Sequence, residues 1–76
     1  MEEYLLTFEY DEETRKIEIH ADRKGLIVFK DIIDNLLEKG GDIHLMSPSW
    51  GGQELSEEQQ NEKTKLLHHV KIFFWK

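Results

Sequence analysis

The sequence contains no cysteine and a single proline among its 76 residues. Without cysteine, the protein can form no disulfide, no thiolate metal cluster and no thiol nucleophile. Its apolar runs fall far short of the roughly 20 residues that a membrane-spanning helix needs. The first residues, Met1-Glu2-Glu3, are acidic, whereas a secretory signal starts with basic residues and an apolar segment. We therefore expect a cytoplasmic protein that does not act at a membrane.

Basic residues are also scarce, and two long segments lack Lys and Arg entirely. The chain has 16 acidic and 10 basic residues, which gives a net charge of −6. Residues 1–14 hold six of the acids and residues 40–62 hold five. Such a negative field repels nucleic-acid phosphates and attracts basic partners, so we do not expect nucleic-acid binding. An acidic surface that serves solubility alone is the other interpretation.

The length allows one domain, residues 1–76. At its N-terminus, alternation of apolar and polar residues predicts a β-hairpin formed by Glu3–Tyr10 and Arg15–His20. The residues predicted to face inward are Tyr4, Leu6, Phe8, Tyr10, Ile17 and Ile19.

A helical period follows the hairpin. Asp22 is a suitable N-cap, Lys39 lies in the last turn, and Gly40-Gly41 can end the helix. Gly25 weakens the first turn, so we expect the helix to begin a residue or two late. The predicted apolar stripe consists of Leu26, Phe29, Ile33, Leu36 and Leu37.

Two further strands complete the fold. Asp42–Ser47 is one, and Pro48 ends it because proline lacks the N–H that a ladder requires. Leu66–Trp75 is the other, after a long polar loop over Ser49–Glu62. The order ββαββ predicts an α+β fold, in which one helix covers one face of a four-stranded, largely antiparallel sheet.

One helix leaves the other sheet face open. The predicted residues of that face are Leu5, Thr7, Met46, Leu67, Phe73 and Trp75. A surface this apolar usually marks a protein contact. It would be covered by a second copy in a homodimer, by a different protein, or by the long loop; alternatively, the strand parity differs from the one assumed.

Candidate catalytic and metal-binding residues are few. The alternation of the strands would place His20, His44 and His69 on the open face and His68 on the core side. The spacing of these histidines matches no zinc-binding motif. We therefore predict no metal site and no cofactor. Ser47 and Ser49 lack the Gly-x-Ser-x-Gly context of a hydrolase nucleophile. We therefore expect no catalytic residues and no enzyme activity.

The most distinctive segment is Met46-Ser47-Pro48-Ser49-Trp50-Gly51-Gly52. Trp50 either pins this loop to the body of the protein or stands exposed as an interface hot spot, since Trp is the residue most enriched in hot spots. Acidic residues downstream would then steer a basic partner towards it. The predicted partner-binding residues are Ser49, Trp50, Gly51, Gly52, Glu54, Glu57, Glu58 and Glu62.

The run from His44 to Gly52, followed by Glu54-Leu55-Ser56 and by Leu67–Trp75, resembles the immunity protein 32 family of bacterial polymorphic toxin systems. The resemblance implies a cytoplasmic protein that binds and neutralises a cognate toxin. Many toxins of these systems are nucleases with basic clefts, which an acidic inhibitor can occupy. Toxin occlusion is thus our leading functional hypothesis. A homodimeric structural or regulatory module without a toxin partner is the alternative.

Overall fold

A computed structural model describes residues 3–75; Met1 and Glu2, which entered the prediction of localisation, and Lys76 lie outside the described residues. The elements in chain order are β1 (Leu6–Asp11), β2 (Lys16–Ala21), α1 (Arg23–Lys39), β3 (Gly41–Met46), a 3₁₀ turn (Pro48–Trp50), β4 (Lys65–Leu67) and β5 (His69–Phe74). The α+β class with one helix is confirmed. Within residues 3–75, no helix is long and apolar enough to cross a membrane.

The strands form two small antiparallel sheets, β2-β1-β4 and β3-β5, and not the single four-stranded sheet that was predicted. The predicted last strand bends at His68. Before the bend, Leu67 pairs with Phe8 of β1; after it, His69 pairs with Met46 of β3. At the bend itself, the His68 carbonyl accepts a hydrogen bond from the Ser47 N–H at 3.0 Å. One continuous segment therefore supplies a strand to each sheet.

The middle of the long loop joins the two sheets. Leu55 donates its N–H to the Met46 carbonyl at 3.2 Å, and Ser56 donates its N–H to the Leu6 carbonyl at 2.9 Å. The Leu55 side chain is 2% exposed and completes a core with Leu6, Phe8 and Leu45. The loop is thus an integral part of the fold, since it supplies both a core residue and backbone pairing.

The helix begins at Arg23, earlier than predicted. The Asp22 carboxylate caps it by accepting the Gly25 N–H at 2.7 Å, and Gly25 fits against the Leu5 carbonyl, where no side chain has room. At the other end Gly40 adopts a φ of 75° and donates to the Leu36 carbonyl.

The buried stripe of α1 differs from the predicted one at both ends. Leu36 is buried, and Phe29 packs edge-on against Phe8 with ring centroids 5.6 Å apart. Leu26 and Leu37 were predicted to be inward, but they are 55% and 61% exposed. The helix residues that face the core are at positions 25, 29, 32 and 36. Residues 26 and 37 therefore lie beside this buried stripe and not within it.

The face expected to be open is covered on β1. Thr7 is fully buried, because residues 56–64 fold over this side of the sheet β2-β1-β4. Leu67 packs against the core, whereas Phe73 on β5 and Trp75 directly after the end of β5 are 53% and 85% exposed. Leu5 and Met46 are half-buried. The predicted six-residue face is therefore corrected to a covered part on β1 and β4 and an exposed part on β5.

The inward direction predicted for the apolar residues of β2 is also wrong. Ile17 and Ile19 are 58% and 47% exposed. β2 is one of the two edge strands of its sheet. One helix, which also packs on β1 and β3, leaves the side chains of that edge partly in solvent.

Candidate functional site

The segment Ser47–Gly52 forms a tight turn directly after β3. The Ser47 carbonyl accepts hydrogen bonds from the N–H groups of Trp50 and Gly52, both at 2.9 Å. Gly51 has a φ of 83°, a left-handed conformation that favours glycine. Gly52 lies so close to Met46 that a Cβ atom would overlap the Met46 carbonyl. The paired glycines are therefore required by the geometry of the turn.

Trp50 stands on this turn with more than half of its surface in solvent. Its ring is 59% exposed. The opposite side of the indole lies nearly parallel to the His68 ring, with centroids 6.2 Å apart and an interplanar angle of 7°. The His69 ring is also close, at 6.3 Å. Trp50 therefore contacts the body of the protein through His68 and His69 and is also exposed. Its role as an interface hot spot stays a prediction.

A cluster of hydrogen bonds fixes His68 beneath Trp50. The buried Ser47 hydroxyl lies 2.7 Å from His68 Nδ1. Glu57 reaches the same place: it accepts the Ser49 N–H at 2.8 Å, it accepts the Ser49 hydroxyl, and it lies 3.5 Å from His68 Nδ1. Hydrogen bonds from Ser49 and then from Ser47 lower the pKa of the Glu57 carboxyl to about 2. Glu57 is thus ionised at neutral pH and ties residues 47–50 to the loop.

Serine, histidine and glutamate in contact invite comparison with a hydrolase triad, but the geometry differs. A triad histidine binds its serine through one ring nitrogen and its carboxylate through the other. Here Ser47, Ser49 and Glu57 all converge on Nδ1 of His68. His68 therefore cannot accept a proton from serine on one side while a carboxylate orients it from the other, and the arrangement is that of a structural cluster.

The other predicted acidic contacts occupy different positions. Glu54 accepts the Met46 N–H at 3.1 Å through Oε1, so its carboxylate is held inside the loop. Glu58 and Glu62 are exposed. Glu62 directly follows Asn61, whose N–H binds Glu9 on the sheet β2-β1-β4. The structure therefore gathers Ser49, Trp50, Gly51, Gly52, Glu54 and Glu57 around one turn and leaves Glu62 at the far end of the loop.

Glu9 is an important residue that sequence reasoning missed. Its fully buried carboxylate accepts four hydrogen bonds, from the hydroxyls of Thr7 (2.6 Å) and Thr64 (2.8 Å) and from the N–H groups of Gln60 (2.9 Å) and Asn61 (3.0 Å). Burial raises the pKa of this carboxyl, but the four hydrogen bonds outweigh it and lower the pKa to about 2. An ionised glutamate thus anchors residues 60–64 onto β1.

Glu9, Glu18 and His20 are close enough to resemble a metal-binding group, since one ligand atom of each lies within 4.8 Å of the others. Both oxygens of Glu9 already accept two hydrogen bonds each. Glu18 accepts from His20 at 2.9 Å and from the Asn61 amide at 3.2 Å. With its oxygens saturated by protein donors, Glu9 is poorly suited to a cation, and the group serves to hold the loop.

Two of the three histidines predicted to share a face do meet. His44 Nδ1 and His69 Nε2 lie 2.7 Å apart across β3 and β5, so one ring donates to the other. The Asp42 carboxylate is 3.9 Å from His44 Nε2 and 3.1 Å from the Lys71 ammonium. His20, the third, lies instead beside Glu9 and Glu18. The exposed pair of His44 and His69 lies next to Trp50, so the three aromatic rings form one surface that extends onto β5.

Comparison with known proteins gives one result. The family model described as immunity protein 32 matches residues 16–70 of the 76-residue chain. The matched part runs from β2 to the start of β5 and includes the whole Trp50 turn. No curated protein and no solved structure matches the chain. A match over more than half of the sequence confirms the resemblance, and the chain belongs to the immunity protein 32 family.

Proposed function

We propose that this protein binds a cognate bacterial toxin in the cytoplasm and neutralises it by direct occlusion, with Trp50 as the central contact. The observation that carries the proposal is an indole that is 59% exposed on a turn fixed from below by His68, Ser47 and Glu57. The membership of the immunity protein 32 family supports a binding role and not an enzymatic one.

The rigidity of the turn favours tight binding through Trp50. An exposed aromatic side chain that is already held in one orientation loses little conformational entropy on association. Truncation of such an anchor typically costs about 2 kcal/mol or more of binding free energy, which is roughly a 30-fold rise in Kd.

The acidic residues contribute in two ways. Glu57 shapes the turn by accepting the Ser49 N–H, and Glu54 accepts the N–H of Met46 directly before the turn. Glu58 and Glu62 are exposed and, together with the net charge of −6, would attract a basic toxin surface such as the phosphate-binding cleft of a nuclease. Exposed charges of this kind mainly raise the association rate and make it sensitive to salt.

The experiment compares Trp50→Ala with Trp75→Ala, which removes the same side chain from a second exposed position. Trp75 is 85% exposed and directly follows β5. A candidate toxin domain chosen from the neighbouring genes is titrated with each variant by calorimetry, and co-expression measures the survival of cells. We expect Trp50→Ala to bind about 30-fold more weakly and to protect less, while Trp75→Ala stays within about threefold of the wild type. A folded Trp50→Ala variant that protects fully would contradict the anchor role. Failure of the wild type to bind would contradict toxin neutralisation itself.

The alternative, a homodimeric structural or regulatory module without a toxin partner, is favoured by one observation, the exposure of Phe73 and Trp75 at the end of the chain's last strand. The two functions make different predictions in the co-expression assay. A pure structural module gives no protection against the neighbouring toxin, whether or not it dimerises.

A further inference from the structure

The outer edge of β5 has free backbone hydrogen-bonding groups. Just outside the β3–β5 ladder, Ser47 donates its N–H to the His68 carbonyl. The next residue of β3, Met46, bonds through its N–H and C=O to Glu54 and Leu55 and not to β5. Because hydrogen-bonded and non-hydrogen-bonded pairs alternate along an antiparallel ladder, Val70, Ile72 and Phe74 point their N–H and C=O groups towards β3. The same groups of His69, Lys71 and Phe73 point away, and within residues 3–75 they have no backbone partner.

The side chains on this edge strand are unusually apolar for an exposed position. Phe73 and Trp75 are 53% and 85% exposed and lie with ring centroids 6.1 Å apart. The Lys71 ammonium sits 4.7 Å from the centre of the Phe73 ring. Proteins normally protect an open edge with a proline, a bulge or several charges. β5 has only Lys71, and its charge is compensated by Asp42 at 3.1 Å.

We propose that a second copy of this chain pairs with the outer edge of β5, so that two β5 strands run antiparallel about a two-fold axis at Ile72. In this register Lys71 lies opposite Phe73 of the second copy, and His69 lies opposite Trp75. The first pairing repeats between copies the cation–ring contact that Lys71 and Phe73 already make within one copy. The second brings two aromatic rings together.

The charge distribution directs a basic toxin surface away from this edge, and the pairing of Lys71 with Asp42 leaves little charge repulsion there between two copies. Residues 63–76 contain four lysines and no acidic residue, whereas residues 1–62 carry a net charge of −10. A basic toxin surface is therefore attracted to the loop and not to β5. Two copies meeting at β5 place their uncharged aromatic residues at the contact and keep each Lys71 beside its own Asp42.

The expected dimer is weak, because the contact is small. Aromatic side chains bury about 150–250 Å² each, so the exposed parts of Phe73 and Trp75 in two copies supply roughly 600 Å². With the paired backbones, the total approaches the lower limit of about 1,200 Å² for specific interfaces. We therefore expect a Kd in the micromolar range.

Sedimentation velocity from low micromolar to about 500 µM tests the association without any toxin. The wild type is expected to shift from monomer to dimer over this range. The double variant Phe73→Ala/Trp75→Ala is expected to stay monomeric. Leu37→Ala, which truncates a side chain that is 61% exposed on α1, is expected to behave like the wild type. A wild type that is monomeric throughout, or a dimer that survives loss of both aromatic residues, would overturn the proposal.

Cross-linking tests the register, since the chain has no cysteine of its own. Ile72→Cys places two thiols at the two-fold axis in a closely spaced pair, where a disulfide fits. Ile43→Cys is the matched control, because Ile43 is the partner of Ile72 on the inner strand β3 and is also half-buried. We expect mild oxidation to give a covalent dimer of Ile72→Cys only. Equal cross-linking of both variants, or none at Ile72, would overturn pairing about this axis.

Discussion

Replacement of Glu9 by glutamine tests whether a buried carboxylate holds the long loop on the sheet. The four donors around Glu9 leave both oxygens fully used. Glutamine has the same shape, but one of its two polar ends is an NH₂ group. Whichever way the amide turns, that group faces a backbone N–H, of Gln60 or of Asn61, which cannot reverse its direction.

The magnitude follows from the pKa of Glu9, which falls from 4.5 to about 2 on folding. A shift of this size corresponds to about 3 kcal/mol of stability, since one pKa unit is 1.36 kcal/mol. Because the folded pKa is the lower one, this stability is fully present above pH 4.5 and is lost as the pH falls towards 2. A domain of this size has only about 4–11 kcal/mol in total, so the loss would be a large fraction of its stability.

Urea unfolding of the wild type and of Glu9→Gln, between pH 7 and pH 2, is the appropriate assay. We expect the variant to be less stable by about 3 kcal/mol at pH 7, and the difference to shrink as Glu9 of the wild type becomes protonated. Glu18→Gln is the control, because Glu18 is partly exposed and should lose less. A difference below about 1 kcal/mol at pH 7, or one that does not change with pH, would refute the anchoring role of Glu9.

Two further substitutions address the Trp50 turn. Gly52→Ala should lower the free energy of unfolding by about 1–3 kcal/mol, because a Cβ atom would overlap the Met46 carbonyl. Urea unfolding measures this loss, and a variant as stable as the wild type would show that the turn can relax around the methyl group. Ser47→Ala should lower the free energy of unfolding by about 1–2 kcal/mol, because it removes a buried hydrogen-bond partner of His68. The NMR signals of the Trp50 indole should shift in this variant. Unchanged indole signals would contradict the support of Trp50 by His68.

Hydrophobic periodicity predicts the helix and the order of the strands, but it predicts four strands where the structure has five. It also fails where burial depends on the shape of the whole molecule. The helix and the first three strands lie where the pattern places them, to within a few residues. Leu26, Leu37, Ile17 and Ile19 fit an inward pattern but are exposed, because a single helix is too narrow to cover two sheets. Periodicity identifies apolar positions, but it does not show whether another helix or strand is present to cover each of them.

The position of the loop could not be predicted from the pattern for a different reason. A glutamate in an alternating strand is normally expected to face solvent. Its loop partners, Gln60, Asn61 and Thr64, are 51 to 55 residues away in sequence. Local sequence carries no signal for such contacts. The Pro-Ser-Trp-Gly-Gly segment is recognisable in the sequence because the backbone hydrogen bonds that close its turn join residues 47–52 to one another.

The bend at His68 explains how this small fold can present Trp50 rigidly. An unbroken last strand would direct the side chains of His68 and His69 to opposite faces of one sheet. With the bend, His68 supports Trp50 and binds Ser47, while the next residue, His69, contacts both Trp50 and His44. Trp50 therefore rests at the junction of the two sheets, where the same loop is held to β3 through Leu55 and to β1 through Ser56. Loosening either sheet should disturb its orientation, so the stability of the core and the affinity for a partner are expected to fall together.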